Sequence, residues 1–245
     1  MRYYVPDIRS AEELPPQQSF EEKLGGVPWG LPADQWPYCR QCYRPQTLLA
    51  QFRHELPRLD LGKAGRIISI FQCENGTGTC RTWEGRSGAN ACLISETDGL
   101  IDAMTPVPHD SVPVGKEVRI VDWIGRNDRV AQYSYGDYFL EVRYLALGRE
   151  GWLKPASATK LGSVPGWIQG PSGMPEGDWR FLGQLDSFYS FYKAPAVPLR
   201  HVTADPHHWE GRTHMAQGPS FGGGVAYVFF REVEGRPEGW MGWQC

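Results

Sequence analysis

The chain is poor in what most enzyme families advertise. It has no phosphate-binding glycine loop and no dinucleotide fingerprint. No run of about 18 apolar residues occurs, so no membrane-spanning helix is expected. The opening "MRYYVPDIRSAEELPPQQ" has no apolar stretch of the kind an export signal needs, and the expected location is the cytoplasm. Basic residues are not in surplus: 25 Lys and Arg face 28 Asp and Glu, a net charge of −3, which excludes a general polyanion binder. Long helical patterns are scarce as well. With 29 Gly and 20 Pro in 245 residues, turns and short strands are favoured, and the fold class expected is mainly β with few helices.

An internal repeat organises what is present. "KLGGVP" at 23–28 and "KLGSVP" at 160–165 share five of six positions. Each copy is followed by a Trp (Trp36; Trp179) and then by an apolar strand pattern containing Gln: "TLLAQF" with Gln51 and "RFLGQL" with Gln184. Strongly apolar strands follow, "RIISIFQCE" at 66–74 and "VAYVFFRE" at 225–232. Three features recurring in one order read as a duplication, giving two pseudo-symmetric β-rich halves, 1–130 and 131–245. In the hexamer, the leucines point to a core, the glycines permit positive φ, and the prolines fix an extended exit. Further strands are predicted at 91–96 and 117–124, and helices at 11–23 and, with an alternating strand as the competing pattern, at 137–147. Polar residues 125–136 read as a linker and 193–224 as a long loop.

Six cysteines without an export signal read as thiols or metal ligands rather than disulfides. Cys39-Arg40-Gln41-Cys42 has the spacing that turns two thiolates onto one metal, and Cys73 and Cys80 supply a second pair. Four cysteines close a tetrahedral site, so the zinc expected here is structural. A redox pair at 39–42, or thiols bound to nothing, are the competing readings. Cys92 lies in a strand pattern as a core thiol, and Cys245 has no assigned role.

Other candidates carry less chemistry. "GPSFG" at 218–222 has the nucleophile-elbow spacing around Ser220, but it precedes a strand pattern, not a helix. His207, His208 and His214, with Asp205 or Glu210, show no ligand spacing and read as a solvated loop; Asp122 and Asp128 form no acid–base pattern.

"KLGGVPWG…WPYCRQC…TLLAQF…RIISIFQCENGTGTC…SGANACLI", followed by "KLGSVPGWIQ…WRFLGQLDS…GGGVAYVFF…GWMGWQC", resembles the YwqG-like bacterial family of unknown function, from about residue 23 to the end. The first half also resembles the eukaryotic programmed-cell-death-protein-two family, whose members hold a newly made ribosomal protein. That resemblance implies metal ligation by Cys39, Cys42, Cys73 and Cys80, and a binding role. Residues 188–220 lengthen a connection that is short in the bacterial family, so no role is carried over to them. The expected function is a non-enzymatic protein-binding module, chaperone-like or of immunity or adaptor type, using the cleft between its halves. An RNA-processing factor or hydrolase acting in the same cleft is the alternative.

Overall fold

The computed structural model describes residues 1–76, 78–108, 112–149, 155–191 and 214–245. The protein is mainly β. Ten strands form one antiparallel sheet: β1 (Arg2–Ser10), β2 (Lys23–Leu24), β3 (Thr47–Arg53), β4 (Arg66–Gln72), β5 (Asn90–Glu96), β6 (Val118–Asn127), β7 (Lys160–Gly162), β8 (Arg180–Asp186), β11 (Val225–Val233) and β12 (Arg236–Gln244). Their order is β12-β11-β8-β7-β1-β6-β2-β3-β4-β5. Two further strands, β9 (Phe188–Phe191) and β10 (His214–Gln217), pair with each other. The one α-helix among the described residues is α1 (Glu141–Arg149).

The sheet curls until its ends meet. Asn90 at the start of β5 donates from Nδ2 to the Met241 carbonyl of β12 at 3.2 Å. Gly239 of β12 lies so close to Cys92 that a Cβ there would come within 2.5 Å of the cysteine Cβ. The curl gives strands two buried faces, which is why β3 and β4 read as continuous apolar runs rather than alternating ones. Leu49, Phe52, Ile68, Ile70, Ala226, Val228 and Phe230 point inward to a core shared by both halves. Leu48 and Phe71 point outward under Leu31 and Trp36, while Val225, Tyr227 and Phe229 point outward under Trp167. Cys92 packs against the shared core, where burial pushes its thiol up to about 12.

The two hexamers occupy matching places. Lys23 pairs with Gln51 and Leu24 with Ala50; Lys160 pairs with Gln184 and Leu161 with Gly183. On their outer sides β2 pairs with β6 and β7 with β1, and β1 and β6 pair with each other at the centre. Gly25 and Gly26 take φ of 69° and 70°, and Gly162 and Ser163 take 82° and 57°. A serine in this left-handed region is disfavoured; here its hydroxyl is held on the Asp128 carboxylate. Gln51 accepts from Trp29 N–H and donates to Trp29 C=O and Ser69 Oγ. Gln184 accepts from Gly166 N–H and donates to the carbonyls of Ala156 and Ala158. Each buried amide thus fixes the chain leaving its hexamer.

Three sequence expectations need correction. The helix at 11–23 is only a 3-10 turn over Ala11–Glu13, because Pro15 and Pro16 remove two amide donors and clash with a continuing helix. The segment 125–136 is not simply a linker: β6 runs to Asn127, and a 3-10 turn covers Gln132–Tyr138 before α1. In the expected loop at 193–224, residues 214–217 form β10 and Phe221 is fully buried in the shared core. Residues 193–213 lie outside the described residues.

Candidate metal centre

Cys39, Cys42, Cys73 and Cys80 meet at one point, and their sulfur atoms all lie within 4.8 Å of one another. Cys42 Sγ and Cys73 Sγ are 3.5 Å apart. Tetrahedral thiolate ligation at about 2.3 Å per bond places sulfurs about 3.8 Å apart, within the spread found here. None of the four is in a disulfide, whose sulfurs would be about 2.05 Å apart. Cys39, Cys73 and Cys80 are buried and Cys42 is partly exposed.

Local backbone bonding aims these sulfurs. The Cys39–Arg44 segment turns back on itself: Cys39 N–H donates to Arg44 C=O at 2.9 Å, and Tyr43 N–H to Cys39 C=O at 2.9 Å. Tyr43 takes φ 60° to close this turn. Gln41 N–H then points at Cys39 Sγ, 3.4 Å away, and the backbone N–H of Arg44 supports Cys42 in the same manner. Asn75 repeats the device at Cys73, from its backbone and from its side-chain Nδ2 at 3.8 Å. Amide donors aimed at sulfur favour the thiolate over the thiol.

Burial works the other way. It raises Cys73 to about 11, with the neighbouring thiols adding to the shift, and pushes Cys80 up as well. At Cys42 burial again opposes ionisation, but the Arg44 amide and the other three thiols outweigh it and its pKa falls. Four sulfurs this close cannot all carry charge unless a cation balances them. The set is therefore compatible with a metal ion, and with sulfur alone as donor it offers no open position for water.

The centre ties a long irregular connection into the fold. Cys73 follows β4 directly, Cys80 sits between β4 and β5, and the connection binds the Cys39–Cys42 turn through Gln41. Gln41 Oε1 accepts from Arg81 N–H at 3.1 Å, and its Nε2 donates to Ser87 C=O at 3.2 Å. Arg40 N–H and Gln46 Nε2 both donate to Gly88 C=O. Beyond Cys80 the connection crosses to the other half. Trp83 packs edge-on against Trp243 of β12 with centroids 6.3 Å apart, and Trp243 N–H donates to Trp83 C=O. Gly85 lies directly on the Trp240 ring, with no space for a Cβ.

Sequence reasoning named all four sulfurs the structure brings together. It missed Gln41 and Asn75 as their supports, although Gln41 stands between the first two ligands and Asn75 two residues after the third. It missed the closing contacts of Trp83 and Gly85, which a linear pattern cannot expose. Ser220 sits in a turn entering β11, not between a strand and a helix, and its N–H donates to Glu74 Oε1 at 3.1 Å. Asp205, His207, His208 and Glu210 lie outside the described residues; His214 belongs to β10. Asp122 faces Asp7 across the β1–β6 pair, and Asp128 holds Ser163 and the Met1 amine. No helix among the described residues is long and apolar enough to cross a membrane. No protein-family model and no curated protein matches the chain.

Proposed function

We propose that the chain is a non-enzymatic, cytoplasmic protein-binding module of the YwqG-like family, distantly related to the programmed-cell-death-protein-two family. It is built from a duplicated unit and carries one structural zinc on Cys39, Cys42, Cys73 and Cys80. Zinc suits four closed sulfur ligands, and its task here is to hold the β4–β5 connection in place rather than to activate water.

A cleft between the halves carries the binding reading. A cavity of about 570 Å³ is lined by Arg58 and Asp60 from the first half and by Ser163, Trp179 and Arg180 from the second, with Tyr135 on its wall. Arg180 and Asp60 pair across it at 2.8 Å. The turn carrying Tyr135 leads straight into α1, which buries no residue. Tyr133 is 91% exposed and Val142 81%, with Leu140 and Leu145 also largely exposed. Several exposed apolar groups on one short segment that leads from a cleft support a surface that another protein covers.

The test is affinity capture from the protein's own cells, with crosslinks mapped on the captured partner. Replacing Tyr133 with Ala and Val142 with Ser together should abolish capture while leaving metal content and melting temperature unchanged. Capture that persists in the double variant, or crosslinks that avoid residues 132–149 and the cleft, contradicts the proposal.

A further inference from the structure

A second cavity lies at the seam between the β4–β5 connection and β12, distinct from the cleft assigned to a protein partner. It measures about 390 Å³, within the range of small-ligand sites. One wall is the connection beyond Cys80, with Trp83, Glu84 and Arg86; the other is the second half, with Trp167, Tyr227, Trp240, Trp243 and Glu176. Trp83, Trp240 and Trp243 keep exposed surface beside this space, backed by the buried Trp167 and Tyr227.

The polar groups around it are largely committed already. Gln244 uses both ends of its amide, on Gln169 N–H and on the carbonyls of Gly170 and Ser172. Gln169 Nε2 donates to Cys245 C=O. The Tyr227 hydroxyl accepts from Ile168 N–H and donates to Gly166 C=O. A sugar, whose hydroxyls each need a partner, would lose more hydrogen bonds to water than it regained. An anion would meet a largely aromatic lining with a negative quadrupole face; Glu84 is paired with Arg81 at 3.3 Å, which leaves Arg86 and Glu176 as the charged groups at the rim. The group that fits is a cation with no N–H of its own to satisfy.

We infer that this seam cavity binds a small quaternary ammonium compound, choline being a simple one. The trimethylammonium group sits among the aromatic rings and is held by cation–π attraction, while Glu176 supplies a carboxylate at the rim. Because Trp83 and Glu84 follow Cys80 closely, the metal centre sets the position of that wall.

The test is calorimetric titration of the full metal-loaded chain with choline chloride and with 3,3-dimethyl-1-butanol, its neutral isostere. Choline should bind at least tenfold more tightly than the isostere. Trp240→Ala should weaken choline at least tenfold. Because Trp240 also packs on Phe229 at 5.5 Å, the exposed Trp83→Ala and Glu176→Gln variants provide readings that spare the core, and both should weaken choline. Tyr133→Ala, in the turn beside the α1 helix, should not. Equal affinity for the two compounds, or no choline binding at 10-millimolar scale by the folded protein, overturns the inference and leaves the protein-partner proposal untouched.

Discussion

The two hexamers sit in matching hydrogen-bonded settings and then part company at their buried lysines. Lys23 and Lys160 stand at the same register point and both are fully buried. Lys23 Nζ donates to Gln17 Oε1 at 2.8 Å and to Glu117 Oε2 at 3.1 Å. Burial lowers its pKa, and Glu117 offsets much of that. Lys160 Nζ has no hydrogen-bond acceptor among the described residues and only the Tyr3 ring beneath it, 5.2 Å to the centroid. Burial lowers it to about 8, opposed only by the more distant Asp128 charge. The shared scaffold thus imposes a lysine position in each half, but the neighbouring segments decide whether that charge is compensated. The metal centre marks the same divergence, since the second half has no cysteines at the corresponding places.

Removing the metal should separate the halves most. Chelation, or Cys39→Ser or Cys73→Ser, should cost more than about 3 kcal/mol, since metal binding couples directly to folding. Hydrogen exchange should show β4 and β5 losing protection before β8 and β11. Simultaneous loss in all four strands would mean that the seam contacts couple the halves into a single cooperative unit.

The buried glutamines should behave alike. Gln51→Ala and Gln184→Ala each orphan one buried backbone N–H and at least one carbonyl, at about 2–3 kcal/mol by denaturant titration. A large cost at one site and none at the other would break the equivalence of the two hexamers.

The lysines should differ in sign. Lys23→Met strips Glu117 of a buried partner and should cost about 2 kcal/mol, less than a fully isolated pair because Arg119 remains beside that carboxylate. Lys160→Met removes a buried charge that has no hydrogen-bond acceptor among the described residues and only Asp128 to oppose its burial, and should stabilise by about 1 kcal/mol at neutral pH. The unfolded chain holds the Lys160 proton up to its ordinary 10.5 and the folded chain only to about 8. Between those values the unfolded state binds more protons, so stability rises with pH. Below about 8 the penalty is present in full. Lys160→Met should flatten that contribution, whereas a slope unchanged by the substitution would mean that another group produces it.

Much of this was legible in the chain. Ordered motifs located β2, β3 and β4 and their counterparts β7, β8 and β11, because a strand with two buried faces is written as an uninterrupted apolar run. The cysteine spacing located the four sulfurs that meet, because sulfurs that converge on one point constrain the spacing of the residues that carry them. What escaped was everything decided by closure of the sheet. Gly239 against Cys92, Gly85 on Trp240 and Trp83 against Trp243 join positions far apart in sequence, and none carries a local period. The prolines at 15 and 16 were visible, yet the acidic run before them imitated a helix start.

The central claim is that four sulfurs and one metal hold the first half and its side of the seam. Its most direct test is metal content by inductively coupled plasma mass spectrometry on protein purified under reducing conditions, beside Cys39→Ser, Cys73→Ser, Cys92→Ser and Cys245→Ser. About one zinc per chain is predicted, as a single tetrahedral site requires, lost in the first two variants and retained in the last two. Metal-free protein with full native protection in β4 and β5, or zinc that survives both Cys39→Ser and Cys73→Ser, would contradict it.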